Sequence, residues 1–181
     1  IIALSMTMHK WLILPTILFI LTGCSTMDVS DYKDNSPEFI LEEYFNGKTV
    51  AYGVFENRSG EVINQFKVNI TGSVEGDILT LDEDFIYKNG KVDKRLWKIN
   101  ILPDGHYEGT TNGVIGTARG KRSGNAFNWI YVFDLPVGET SYKLKFNDWM
   151  FLQDDGVMIN RAFVTKWGFN VGSVTLSFYK E

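Results

Sequence analysis

The chain has 181 residues, 18 basic against 22 acidic side chains and a formal net charge of −4. Setting aside Lys10, which falls in the leader described next, leaves 17 basic against 22 acidic, or −5, with no basic run. This balance argues against nucleic-acid binding, which leans on phosphate neutralisation by Lys and Arg, and against electrostatic adhesion to anionic lipid.

His9 and Lys10 form a short positive stretch, and Trp11 to Leu21 an apolar core broken only by Pro15 and Thr16. The run Leu21-Thr22-Gly23-Cys24 closes it, with small residues before the cysteine, as in a bacterial lipoprotein signal peptide. We expect Met6 or Met8 as the start, residues 1–23 as the removed signal and Cys24 as the lipidated first residue. An ordinary secretory signal with an incidental cysteine is the alternative, as is a short buried helix. The apolar core has about half of the roughly 20 residues that span a bilayer, so attachment falls to acyl chains on Cys24. Cys24 is the only cysteine, so the fold uses no disulfide although its export route is oxidising. Ser25 in place of Asp after the cysteine points, by sorting convention, to the outer membrane with the domain facing the periplasm. Residues 24–36 carry Asp28, Asp31 and Asp34 without an apolar period and read as a lipidated N-terminus and flexible tether.

Residues 37–181 form the expected single domain, and 44% hydrophobic content makes a core without disulfides feasible at this length. Ser36-Pro37-Glu38 predicts a helix start, with Phe39, Ile40, Leu41, Tyr44 and Phe45 as its apolar face and Asn46-Gly47 as its stop. Beyond it, turns at Gly60, Gly76, Gly90, Gly105, Gly113, Gly124, Gly138, Gly156 and Gly168 separate segments rich in β-branched and aromatic residues. Nine turns imply about ten strands, and connections this short force sequential antiparallel pairing. Such a meander leaves two long edges unless it closes. The expected fold is therefore all-β, an antiparallel up-and-down barrel of about ten strands with one short N-terminal helix. A two-sheet sandwich is the alternative. A membrane-spanning barrel conflicts with Lys91 to Leu102, which carries charges on both faces.

Asn89-Gly90 and Asp155-Gly156 read as two-residue type I′ turns. The first sets Asp84 opposite Arg95 and Asp82 opposite Trp97, turns Glu83 to the other face, and makes Asp84–Arg95 a cross-strand ion pair more readily than a ligand contact. The second sets Met150 opposite Arg161, with Asp148 diagonal to Arg161 on an inward face that includes Leu144, Phe146, Met150, Ile159 and Phe163. Arg161 and Asp148 then form either a buried structural latch or a site for an acidic headgroup. Trp149, Phe151, Met158, Ala162 and Val164 make up the other, outward face, which the Pro37–Phe45 helix is expected to cover.

His106 is the only histidine after the leader and sits beside an Asp104-Gly105 turn, and no G-x-S-x-G occurs. These facts argue against a zinc site and against a Ser-His-Asp triad. Gly113, Gly116 and Gly120 have phosphate-loop spacing but no helix follows them. The sequence implies no cofactor, no metal and no enzyme; acid–base work by two barrel carboxylates is the alternative. Candidate ligand-binding residues are Arg161, Asp148, Arg95, Asp84, Trp97, Trp129 and Tyr131.

The segments LDEDFIYKNG, GTARGKRSGNAFNW, NDWMFLQDDGVMINR and KWGFNVGSVTLSFYK, in this order behind the lipobox, resemble the DUF3833 family of proteobacterial lipoproteins. The meander also resembles the calycin group, lipocalins and fatty-acid-binding proteins, which carry apolar ligands inside the barrel; the G-x-W of lipocalins proper is absent, Ala51-Tyr52-Gly53 standing near the first strand instead. The expected anchor, the expected barrel with its aromatic supply and the lack of catalytic machinery together point to an outer-membrane lipoprotein whose barrel binds an apolar or amphipathic small molecule such as a fatty-acyl lipid. The competing reading is a structural or protein-interaction lipoprotein with a barrel packed solid. The lumen discriminates between them: Phe85, Trp97, Phe127, Trp129, Tyr131 and Phe146 either line it or fill it.

Overall fold

The computed structural model describes residues 27–181; the expected signal segment, residues 1–23, and Cys24 lie outside the described residues. Ten strands follow one another: β1 (Gly47–Asn57), β2 (Val62–Glu75), β3 (Ile78–Tyr87), β4 (Val92–Ile101), β5 (His106–Thr110), β6 (Val114–Ser123), β7 (Ala126–Val137), β8 (Thr140–Leu152), β9 (Met158–Lys166) and β10 (Phe169–Lys180). Each pairs antiparallel with its sequence neighbours, and β1 pairs with β10 from Thr49↔Lys180 to Asn57↔Gly172, closing the ring. All nine expected glycine turns fall between strands, so the barrel, not the sandwich, is the fold. Closure removes the exposed edges that a meander of this length would otherwise present. The described residues contain every strand of the ring and the element that plugs it, so the hydrogen-bonded barrel is complete within residues 27–181.

The predicted helix is shorter than its sequence signals. It runs only over Leu41–Phe45 (α1), with no side-chain cap at Ile40. The residues before it are used for tertiary contacts instead. The Phe39 N–H donates to the Gly124 carbonyl at 2.8 Å, the Phe39 ring is fully buried, and Glu38 pairs with Arg122. Helix α1 does not cover the outer wall as expected. It plugs one end of the barrel, where Phe45 packs edge-on against Phe178 and Phe39 against Phe127. Gly72 makes this seat possible, because a Cβ there would lie 1.9 Å from the Phe45 carbonyl oxygen. Tyr107 donates to Glu42 at 2.7 Å, and Lys180 donates to the Tyr44 carbonyl at 2.6 Å and to that of Asn46, holding the last turn of α1 with a cation where its dipole is negative.

The outer aromatic patch is covered by the segment expected to be a tether. Val29–Tyr32 forms a 3-10 turn capped by Asp28, whose carboxylate accepts from the Ser30 N–H at 2.8 Å. Val29 packs with Ala126 and Trp149, and Tyr32 lies on Trp149 and Phe151. Four consecutive residues gave no apolar period, yet two of them, Val29 and Tyr32, supply the cover.

Candidate functional site

Strand alternation sends every second residue inward, and which set goes inward is fixed by the hairpin loops. At the Asn89-Gly90 turn, the Gly90 N–H donates to the Tyr87 carbonyl and the Tyr87 N–H to the Lys91 carbonyl, with Gly90 at φ +83. Asn89 is not at positive φ, so this is a three-residue loop on a type I turn and not the expected type I′ pair. The register moves by one residue. Asp84 lies opposite Lys94, and Glu83 opposite Arg95. The expected Asp84–Arg95 pair therefore does not exist. Asp82 and Asp84 face outward and bind Lys94 at 2.9 and 3.3 Å, while Glu83 and Arg95 face the lumen with Trp97.

The second hairpin slips in the same way. Gly156 donates to Gln153 and Gln153 to Val157, with Gly156 at φ +81. Met150 then lies opposite Asn160, and Arg161 opposite Trp149. Asp148 and Arg161 are on opposite faces, so neither the latch nor an Arg161 headgroup site is formed. Arg161 is on the outside, its guanidinium 5.3 Å from the Phe163 ring. Ile159 and Phe163 go outward with it, whereas Met158, Ala162 and Val164, assigned to the outer face, are buried inside.

What these registers bring together is a lumen. Trp97, Trp129, Tyr131, Asp148 and Arg95 all line one cavity of about 260 Å³, joined by residues the sequence reading did not name as candidates, above all Glu83, Phe66 and Met150. Leu41 and Phe45 of the plug form its floor. At the other end, ringed by the hairpins after β1, β3, β5, β7 and β9, it reaches Phe55, Asn64 and Tyr87. Of the glycines with phosphate-loop spacing, Gly120 serves this wall: a Cβ there would lie 2.4 Å from the Trp129 ring and 2.6 Å from that of Phe127.

Glu83, Arg95, Tyr131 and Asp148, with Tyr87 near Arg95, bring ionisable groups into this apolar space. The Arg95 guanidinium lies over the rings of Phe85 at 4.4 Å and Phe133 at 4.8 Å, its buried Nε has no hydrogen-bond partner, and it forms no ion pair within 4.0 Å among the described residues. Burial pushes the Glu83 carboxyl up to about 7, against the pull of the Arg95 charge and the Trp97 indole N–H. Burial likewise pushes Asp148 up to about 7, against the Tyr131 hydroxyl and Arg95. Tyr131, stacked parallel on Phe146 with centroids 5.1 Å apart, is raised well above its ordinary value by burial and then by the Asp148 charge. Asp148 is 7% exposed, and its Oδ1 also lacks a partner. Among the described residues no group of three His, Cys, Asp or Glu side chains is placed to hold a metal ion, and His106 stands exposed at the start of β5.

No curated protein matches the chain in sequence. A family model described as "Protein of unknown function (DUF3833)" matches residues 18–180, nearly the whole chain, in agreement with the resemblance carried by its turn and strand segments. The chain, a closed ten-strand barrel with a polar cluster inside an apolar lumen, belongs to the DUF3833 family.

Proposed function

We propose that this protein is a lipoprotein of the outer membrane, anchored through Cys24, whose barrel holds an apolar or amphipathic small molecule, such as a fatty-acyl lipid, in its lumen. The observation that supports this reading is the cavity of about 260 Å³. A barrel serving only as a structural or docking body has no use for such a space, since protein interiors otherwise pack as densely as organic crystals. The wall is aliphatic and aromatic with a few polar groups converging at one level, as in small-molecule sites generally. The role we read from this wall is carriage, with Glu83, Arg95, Tyr131 and Asp148 as the polar groups that meet the ligand. The anchor rests on the lipobox at Leu21–Cys24.

The test is uptake of N-phenyl-1-naphthylamine by residues 27–181, followed by probe fluorescence and by energy transfer from the lumenal Trp97 and Trp129. Saturable uptake, lost when Ala162→Phe fills the lumen, is the expected result. A folded barrel that takes up no apolar probe would end the lumen reading and leave the solid-packed alternative.

A further inference from the structure

We infer that Arg95, with Tyr131 and Asp148 across the lumen, is a headgroup site that takes the carboxylate of a single-chain organic acid. This rests on the lumen-binding reading and names the ligand class. Among the described residues Arg95 is the only cation lining the cavity, and it stands there without an ion pair, its Nε unpartnered between two phenyl rings. A guanidinium is charged at any physiological pH, and a buried charge is costly until an opposite charge with hydrogen-bonding oxygens meets it. On the facing wall Asp148, more than nine-tenths buried, aims an unpartnered oxygen into the same space. An acid oxygen of the ligand can accept from Arg95, while protonated Asp148 donates to it.

The sign of the ligand follows from which lumenal charges are fixed. Arg95 keeps its charge, whereas Glu83 and Asp148 are both biased by burial toward their neutral forms. Near neutral pH the two carboxyls are thus only part ionised and leave Arg95 partly uncompensated, so an anion is drawn to it, whereas an ammonium ligand would add a second positive charge beside it. One guanidinium matches one negative charge; a phosphate dianion would need more cations than the wall offers. Size limits the ligand further. The cavity lies at or below the lower end of the roughly 300–1,000 Å³ usual for ligand pockets, which suits one alkyl chain and not the two of a diacyl lipid.

Bringing in an anion should draw a proton onto the Glu83–Asp148 pair. The other groups that face this pair are Arg95 from β4 and Tyr131 from β7, with Tyr87 near Arg95 and Asp82 acting on Glu83 from the outer side of β3.

Calorimetric titration of residues 27–181 with decanoate, decanol and decylammonium separates the headgroups at constant chain length. We expect decanoate to bind at least about tenfold more tightly than decanol, the scale of one charge-assisted hydrogen bond. Arg95→Met, which keeps the apolar stem between the rings, should erase that preference. Titration at pH 7 in two buffers of different ionisation enthalpy should show proton uptake with decanoate, reduced in Asp148→Asn. If Arg95→Met does not fold, the chain-matched comparison and the proton count in wild type and Asp148→Asn still decide. Equal binding of decanol, tighter binding of decylammonium, or a decanoate preference that survives Arg95→Met would overturn the headgroup assignment. The lumen reading would stand in those cases, because N-phenyl-1-naphthylamine would still enter; if neither it nor any decyl compound binds, the lumen reading itself fails.

Discussion

Glu83 and Asp148 have ordinary values of 4.5 and 3.8 and reach about 7 in the folded barrel, because burial penalises their charged forms. Raised folded-state values mean that the native state binds protons more tightly than the unfolded chain between about pH 4 and pH 7. Their contribution to stability is thus fully present below pH 4 and is lost as pH rises through 7. The two titrate as a linked pair beside Arg95. Urea denaturation at intervals from pH 4.5 to 8 should therefore show a falling component that Glu83→Gln with Asp148→Asn removes. At pH 8, Asp148→Asn alone should stabilise the barrel by about 1–3 kcal/mol, since it removes a buried charge. An unchanged slope in the double variant would mean that water reaches both carboxyls. Arg161 behaves differently. It is exposed, with one ring contact, so Arg161→Ala should cost no more than about 1 kcal/mol; a loss of the 3–5 kcal/mol that breaking a buried pair brings would show that it is not on the surface.

At the level of elements, the glycine punctuation gave ten strands and their neighbours, because a short connection leaves antiparallel pairing as the only choice. It did not give the faces. Asn89-Gly90 and Asp155-Gly156 fit a type I′ turn as dipeptides, but each is the end of a three-residue loop in which only the glycine is left-handed. The strand period is two, so one extra loop residue inverts every side chain beyond it. That difference, at each hairpin, put Arg95 with the wrong acid and Arg161 in the lumenal place that Asn160 takes. Trp97, Trp129, Tyr131, Arg95 and Asp148 were nevertheless found, because bulky or charged residues in strand segments stand out whichever way they point. Helix α1 was legible as apolar, but its destination was not, since nothing local distinguishes a side cover from an end plug. The seat is testable through Gly72. A methyl there meets the Phe45 carbonyl at 1.9 Å, so Gly72→Ala must shift α1 or β2. A destabilisation of about 1–3 kcal/mol, with faster acrylamide quenching of Trp97 and Trp129, is expected from an opened floor. Wild-type melting and quenching would mean that α1 is not what closes that end.

For the whole molecule, the ring closes within residues 47–180 and the plug within 37–46, all of them among the described residues. The 3-10 turn at Val29–Tyr32 changes what an anchor at Cys24 would do. It fixes the chain to β6 and β7 from Asp28 onward, in place of the flexible run through residue 36 that composition implied. Three peptide steps separate Cys24 from Met27, a reach of at most about 11 Å. A lipid on Cys24 would then hold this wall of the barrel close to the bilayer, not on a long leash. Attachment and folding should separate cleanly in Cys24→Ser. We expect that variant to lose the acyl mass and leave the membrane fraction, with the thermal transition of residues 27–181 unchanged from that of the lipidated protein. Retention in the membrane at unshifted mass would remove Cys24 as the anchor. A lowered transition would show instead that the barrel draws stability from the bilayer against which it is held.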